Sequence, residues 1–68
     1  MLRQIQQSEW GLTLGSEDLH CGDELQVLMP TEDGGAELVR TRLEMADDYW
    51  YFIGLPGVDV CGCFARPE

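Results

Sequence analysis

Apolar and polar residues alternate with a period of two along much of this chain. In ELQVLM (24–29), Leu25, Val27 and Met29 fall on one face and Glu24, Gln26 and Leu28 on the other. Successive side chains of a strand point to opposite sides, so this is the pattern of a half-buried strand. ELVRTRLEM (37–45) repeats it, with Val39, Leu43 and Met45 predicted inward beside Thr41, and Arg40, Arg42 and Glu44 outward. YWYFIG (49–54) is aromatic or β-branched on both faces, which predicts a central or wrapped strand. Only the extreme N-terminus, Leu2 to Gln7, is also compatible with a helical turn.

Turn residues separate these runs at hairpin distances. PTEDGG (30–35) carries Gly34 and Gly35 to supply the positive φ angles of a hairpin loop. Ala46 to Asp48 make a tighter turn in which Asp can bond its own backbone. LPGVDVCG (55–62) reads as a turn, or a single 3₁₀ turn, before a last short strand in CFARP (63–67). Upstream, LRQI and WGLTL form two further short strands joined through QQSE. The fold class is therefore all-β: a strongly bent antiparallel sheet closing into an SH3-like barrel of about five to six short strands. Residues 1–68 form one domain, with 1–9 a helical turn, a strand or loosely ordered chain. No repeat, linker or low-complexity segment interrupts it.

Size and charge narrow the function. A 60-residue domain buries only about 60% of its unfolded surface, which leaves little material to wall off a deep active-site cavity. A surface function follows. Thirteen Asp and Glu stand against four Arg, a net charge of −9. Such a field repels nucleic-acid phosphates and anionic membranes and attracts basic protein surfaces. It also lies beyond the magnitude of about 2 to 8 that solubility asks of a small domain. The N-terminal MLRQIQQSEW lacks an apolar segment after its Arg, and no run is long enough to span a bilayer. With Cys21, Cys61 and Cys63 unable to form a closed disulfide set, the expectation is a cytoplasmic protein with reduced thiols.

LHCGDELQVL (19–28), VRTRLEM (39–45) and WYFIG (50–54) together resemble an uncharacterised family of short bacterial and mobile-element proteins. Its members carry a similar LHCG, a strand ending in VL, a TRIE-like strand and a WYLVG-like strand. The resemblance covers about Trp10 to Gly54 and implies a shared fold but no activity, since none is assigned to the family. The chain departs from the pattern at Leu38, where a large aromatic is expected, in the longer PTEDGG loop and in the tail CGCFARPE. These departures leave the barrel reading intact and put a shared binding mode in doubt.

Four soft ligands, His20, Cys21, Cys61 and Cys63, match the number a structural zinc needs. Their spacing does not. Neighbouring residues on an extended chain face opposite ways, and Cys61 and Cys63 lack the two-residue spacer of zinc knuckles. The plainer reading has His20 capping the Cys21-Gly22-Asp23 turn and Cys21 packing as a small apolar residue. A Cys–His nucleophile would need side-chain tips to meet and a third orienting group, and no phosphate-binding or catalytic motif is present. The chain is expected to be no enzyme and to need no cofactor. Most of the aromatics belong in the core, with Trp50 and Phe52 buried and Tyr49 or Tyr51 keeping a hydroxyl at the surface.

The acidic residues come in doublets, Glu17-Asp18, Asp23-Glu24, Glu32-Asp33 and Asp47-Asp48, at predicted loops or strand ends, with Glu37 and Glu44 added at outward strand positions. Alternate strand residues lie about 6.6 Å apart, comparable with successive phosphates along one nucleic-acid strand. Carboxylates so arrayed can imitate a phosphate backbone. The function expected is a non-catalytic acidic protein that engages a basic protein, as a nucleic-acid mimic inhibiting a nuclease or CRISPR-type effector in counter-defence. Glu32, Asp33, Glu37, Glu44, Asp47 and Asp48 would supply charge, and Tyr49 or Tyr51 the anchor. Two alternatives stand beside it: a self-associating scaffold, dimeric through an edge strand, and a small Cys/His metal-binding regulator.

Overall fold

The computed structural model describes residues 1–68 and contains seven strands and no helix. They are β1 (Arg3–Ser8), β2 (Gly11–Leu14), β3 (Glu17–Asp18), β4 (Glu24–Pro30), β5 (Ala36–Ala46), β6 (Tyr49–Phe52) and β7 (Phe64–Pro67). All pairings are antiparallel, in one sheet of order β3-β2-β1-β7-β4-β5-β6. β7, the last strand in the chain, lies between β1 and β4, so the sheet is not a simple meander.

Its centre is the β4–β5 hairpin, seven residue pairs long, from Glu24 opposite Arg42 to Pro30 opposite Ala36. Alternation in β4 falls as the sequence demands: Leu25 and Val27 are buried, Met29 packs against the core, and Glu24 is exposed. At its tip the Thr31 N–H donates to the Gly35 carbonyl at 3.0 Å and the Gly34 N–H to the Thr31 carbonyl at 3.2 Å. Only Gly34 takes a positive φ, 89°, so Gly35 is not needed for the second left-handed position expected of it. The β5–β6 turn is the two-residue Asp47-Asp48, and Asp47 itself carries φ 54°. Asp tolerates that region better than most side chains.

The core is ten buried side chains: Ile5, Leu12, Leu14, Leu19, Leu25, Val27, Leu43, Phe52, Val60 and Ala65. They come from every strand except β3, from Leu19 between β3 and β4, and from the long connection between β6 and β7, where Val60 is buried and Leu55 and Val58 pack alongside. One sheet thus folds around its own apolar side and is sealed by a loop.

Several expectations are corrected. The sheet has two free ends, β3 and β6, and does not close into an SH3-like barrel. Residues 1–9 contain no helical turn; β1 runs through the QQS read as a connection. The β1–β2 turn is Glu9-Trp10, which puts Trp10 outside any strand and 88% exposed. β6 is an edge strand and not a central one, although Phe52 is buried and Trp50 packs partly against the core. Its two apolar faces are explained by the β6–β7 connection on one side and by a tyrosine pair on the other. Met45 points inward by parity but is 44% exposed, because it lies near the open end of β5 where the core has run out. Phe64 is also exposed, on the outer side of β7 opposite Gln4.

Truncating Phe52 to Ala should cost about 3–5 kcal/mol, the usual range for emptying a buried aromatic position. Trp10→Ala should stay within about 0.5 kcal/mol, as for exposed sites elsewhere. Urea unfolding of the two variants beside the parent checks the contrast.

Candidate partner-binding site

The residues expected to bind a partner do not form one surface. Glu32 and Asp33 sit in the β4–β5 turn and Glu37 just beyond it, whereas Asp47, Asp48 and Tyr49 lie at the far end of β5. That strand is eleven residues long, and at about 3.3 Å per residue its ends are roughly 33 Å apart. Glu37 shares parity with Val39 and Leu43, so it lies on the core side of the strand and not outward with Glu44. Tyr49 and Tyr51 do come together on β6, with ring centroids 6.0 Å apart and planes at 47°. Tyr49 is exposed and Tyr51, opposite Glu44, half-buried.

Glu44 is occupied. Its carboxylate accepts from the Arg42 Nε at 2.7 Å and from the Cys21 thiol at 3.1 Å. Cys21 therefore hydrogen-bonds at the surface and does not pack as an apolar residue. Arg40 pairs with Glu68, whose carboxylate holds the guanidinium pKa above its ordinary value by hydrogen bond and by charge. Arg66 donates to Gln26 at 2.7 Å. Three of the four arginines are thus engaged across the outer side of β4, β5 and β7.

Asp33 is held locally. Its carboxylate accepts from the Thr31 hydroxyl and from the Gly35 N–H at 3.1 Å, and these bonds, the Thr31 one first, lower its pKa. It shapes the hairpin loop.

The four soft ligands remain apart. His20 is exposed; its N–H donates to the Asp23 carboxylate at 2.7 Å while its carbonyl accepts from the Asp23 N–H at 3.1 Å. The turn is thus capped by the Asp23 side chain, and the imidazole Nδ1 stands 3.8 Å from that carboxylate. Cys63 donates to the Asp59 carbonyl at 3.1 Å, and burial, then Asp59, then Cys61 push its thiol pKa up. All three cysteines are free, and no three His, Cys, Asp or Glu side chains converge as a metal site would require.

Five carboxylates nevertheless face one open cleft. Glu17, Asp18, Asp23, Glu24 and Glu68 line one open cleft of about 480 Å³, together with Leu14, Leu19, Gly22, Leu25 and Pro67. Its walls are the edge strand β3, the 20–23 turn, the start of β4 and the end of the chain beyond β7. Backbone bonds fix this corner: Leu19 N–H to the Leu12 carbonyl at 2.9 Å, Gly22 N–H to the Leu43 carbonyl at 2.7 Å, and Leu43 N–H to the Asp23 carbonyl at 2.9 Å. The Glu68 N–H donates to the Glu24 carbonyl at 3.2 Å. No Arg or Lys lines the cleft; of the five carboxylates, only Glu68 is held by a guanidinium. Two of the four acidic doublets supply the walls. The doublets themselves are legible in the sequence, but their meeting depends on β3 and β4 being brought round the same corner, which no local pattern reports.

The geometry describes a small open-sheet β-protein with a cleft lined by carboxylates and leucines. The chain belongs to the family described as a domain of unknown function (DUF5348), whose model matches residues 1–66. No curated protein and no solved structure matches it.

The Asp33 bonds predict a pH dependence. Because the folded-state pKa is lowered, the stabilisation is present above the ordinary aspartate value of 3.8 and is lost as pH falls through the lowered one. Asp33→Ala should lower the thermal midpoint at neutral pH relative to Glu32→Ala, which removes the same charge. The gap should close on acidification, as a pH series of melting curves would show.

Proposed function

We propose that this chain is a non-catalytic acidic binding protein that engages a basic protein surface. The observation that carries the reading is the cleft lined by Glu17, Asp18, Asp23, Glu24 and Glu68 with Leu14, Leu19 and Leu25 as its apolar floor. A Lys or Arg side chain has the complementary build, an apolar stem with a charged tip. The net charge of −9 steers such a partner from a distance.

A groove that ordinarily holds a nucleic-acid backbone is one basic surface of this kind. The reading therefore extends to inhibition of a nuclease or CRISPR-type effector by phosphate mimicry, in a cytoplasm and in a counter-defence setting. No helix of the chain is long and apolar enough to cross a membrane. Self-association through the free β6 edge is the second reading, favoured by that unpaired edge and opposed by the repulsion between two chains of like charge.

The test is capture of partners from host lysate with the purified chain at low and high salt. A basic protein should be retained at low salt and released as salt rises. Glu17→Lys with Asp18→Lys should weaken its binding at least about tenfold, a change of about 1.4 kcal/mol, while Glu32→Lys with Asp33→Lys should weaken it less. Retention that ignores both salt and the Glu17/Asp18 reversal would overturn the cleft as the site.

A further inference from the structure

The sheet fails to close along a particular seam, and two strands present unused backbone to it. On β6, the Ile53 N–H donates to the Arg42 carbonyl at 3.0 Å. Hydrogen-bonded and non-bonded pairs alternate along an antiparallel ladder, so Tyr51 opposite Glu44 is bonded and Trp50 opposite Met45 is not. The Trp50 N–H and carbonyl therefore point away from β5, to the free edge. On β1, Ile5 bonds outward from β2, its N–H to the Cys63 carbonyl and its carbonyl to the Gly62 N–H, both at 2.8 Å. Gln7, two residues on, faces the same way, but β7 pairs only with Arg3 and Gln4 and does not reach it. Gln7 and Trp50 line one groove of about 220 Å³.

The groove's other lining residues state what would fill it. Leu12, Tyr49, Val60 and Cys61 are largely apolar, Asp48 and Asp59 are acidic, and no Arg, Lys or His is present. The partly buried Trp50 ring packs towards the core beside this opening. Backbone donors and acceptors on both sides suit an extended strand, which alone can bond along two edges at once. Charge complementarity makes that strand basic, and a second copy of a chain with net charge −9 is repelled.

We propose that this seam takes an extended, basic segment of the partner protein, added as a strand beside β6 at Trp50 and against β1 at Gln7, with Asp48 and Asp59 meeting its cations. The proposal rests on the reading of a basic protein partner but not on the acidic cleft. It adds main-chain recognition to a contact that charge alone would leave unspecific.

The probe is a displayed library of random nine-residue peptides selected against the Trp10→Phe variant, which leaves Trp50 as the single tryptophan. The selected sequences should alternate apolar residues with Lys or Arg. The synthetic peptide should shift Trp50 emission and slow amide exchange at Gln7 and Trp50. Affinity should fall at least about tenfold with Asp48→Asn plus Asp59→Asn, and also when alternate peptide nitrogens are methylated, since methylation removes the strand's donors and leaves its side chains. Selection of acidic or uncharged sequences, equal binding of the methylated peptide, or a dimer that already protects Gln7 and Trp50 would each overturn the seam. A basic peptide that instead protects residues 17–24 and is lost on Glu17→Lys would overturn the seam while leaving the cleft reading standing.

Discussion

A single antiparallel sheet with no helix to cover it has to bury its apolar side against itself. In this chain that constraint is met by ten side chains, with Leu43 on β5, Phe52 on β6 and Ile5 on β1 all shielded from water by the same cluster. The sheet is bent so that strands distant in its order share one core. Because no second layer exists, the edges of the sheet must be brought close without being joined. Val60, from the connection between β6 and β7, is buried in the same core.

The surface follows from that economy. With so few residues inside, nearly every polar group lies outside, and no buried side-chain nitrogen or oxygen is left without a partner. The arginines of β5 and β7 are taken up by Glu68, Glu44 and Gln26. Exposed pairs of this kind contribute little stability. Their effect is on charge placement: the cations are spent on the outer side of the sheet, and the 17–24 corner is left acidic. A cleft so made is suited to long-range attraction, while the seam beside Trp50 is suited to short-range, directional contact.

Turn chemistry decides where these features fall. The Asp23 carboxylate, bonded to the His20 N–H, closes the turn between β3 and β4, and Asp18 and Glu24 on either side of that turn both line the cleft. At Gly15, φ is 64° and a Cβ would lie 2.7 Å from the Arg3 Cδ, so the β2–β3 turn packs closely under that side chain. The same residue class serves two ends: Asp23 and Asp33 shape turns through their carboxylates, whereas Asp18 and Glu24 line the open cleft.

Period-two alternation by itself determined the all-β class, the inward set of β4 and the burial of Leu43 and Phe52, and the turn residues of 30–35 and 46–48 marked the hairpin turns between the strands. It did so because a strand's side-chain direction is a local property of the backbone. The same local rule misplaced Met45, since parity gives a side and not how far the core extends along it, whereas the outward expectation for Glu37 ran against the parity it shares with Val39 and Leu43. Tertiary structure alone decided that β7 inserts between β1 and β4, that β6 is an edge, and that closure stops short of a barrel. It alone decided which acidic doublets share a surface. Glu32 and Asp33 are separated from Asp47 and Asp48 by the length of β5, while Glu17, Asp18, Asp23 and Glu24 meet Glu68. That meeting depends on long-range strand pairing, which is set by the collective burial of residues far apart in the chain and leaves no mark in any short stretch of it.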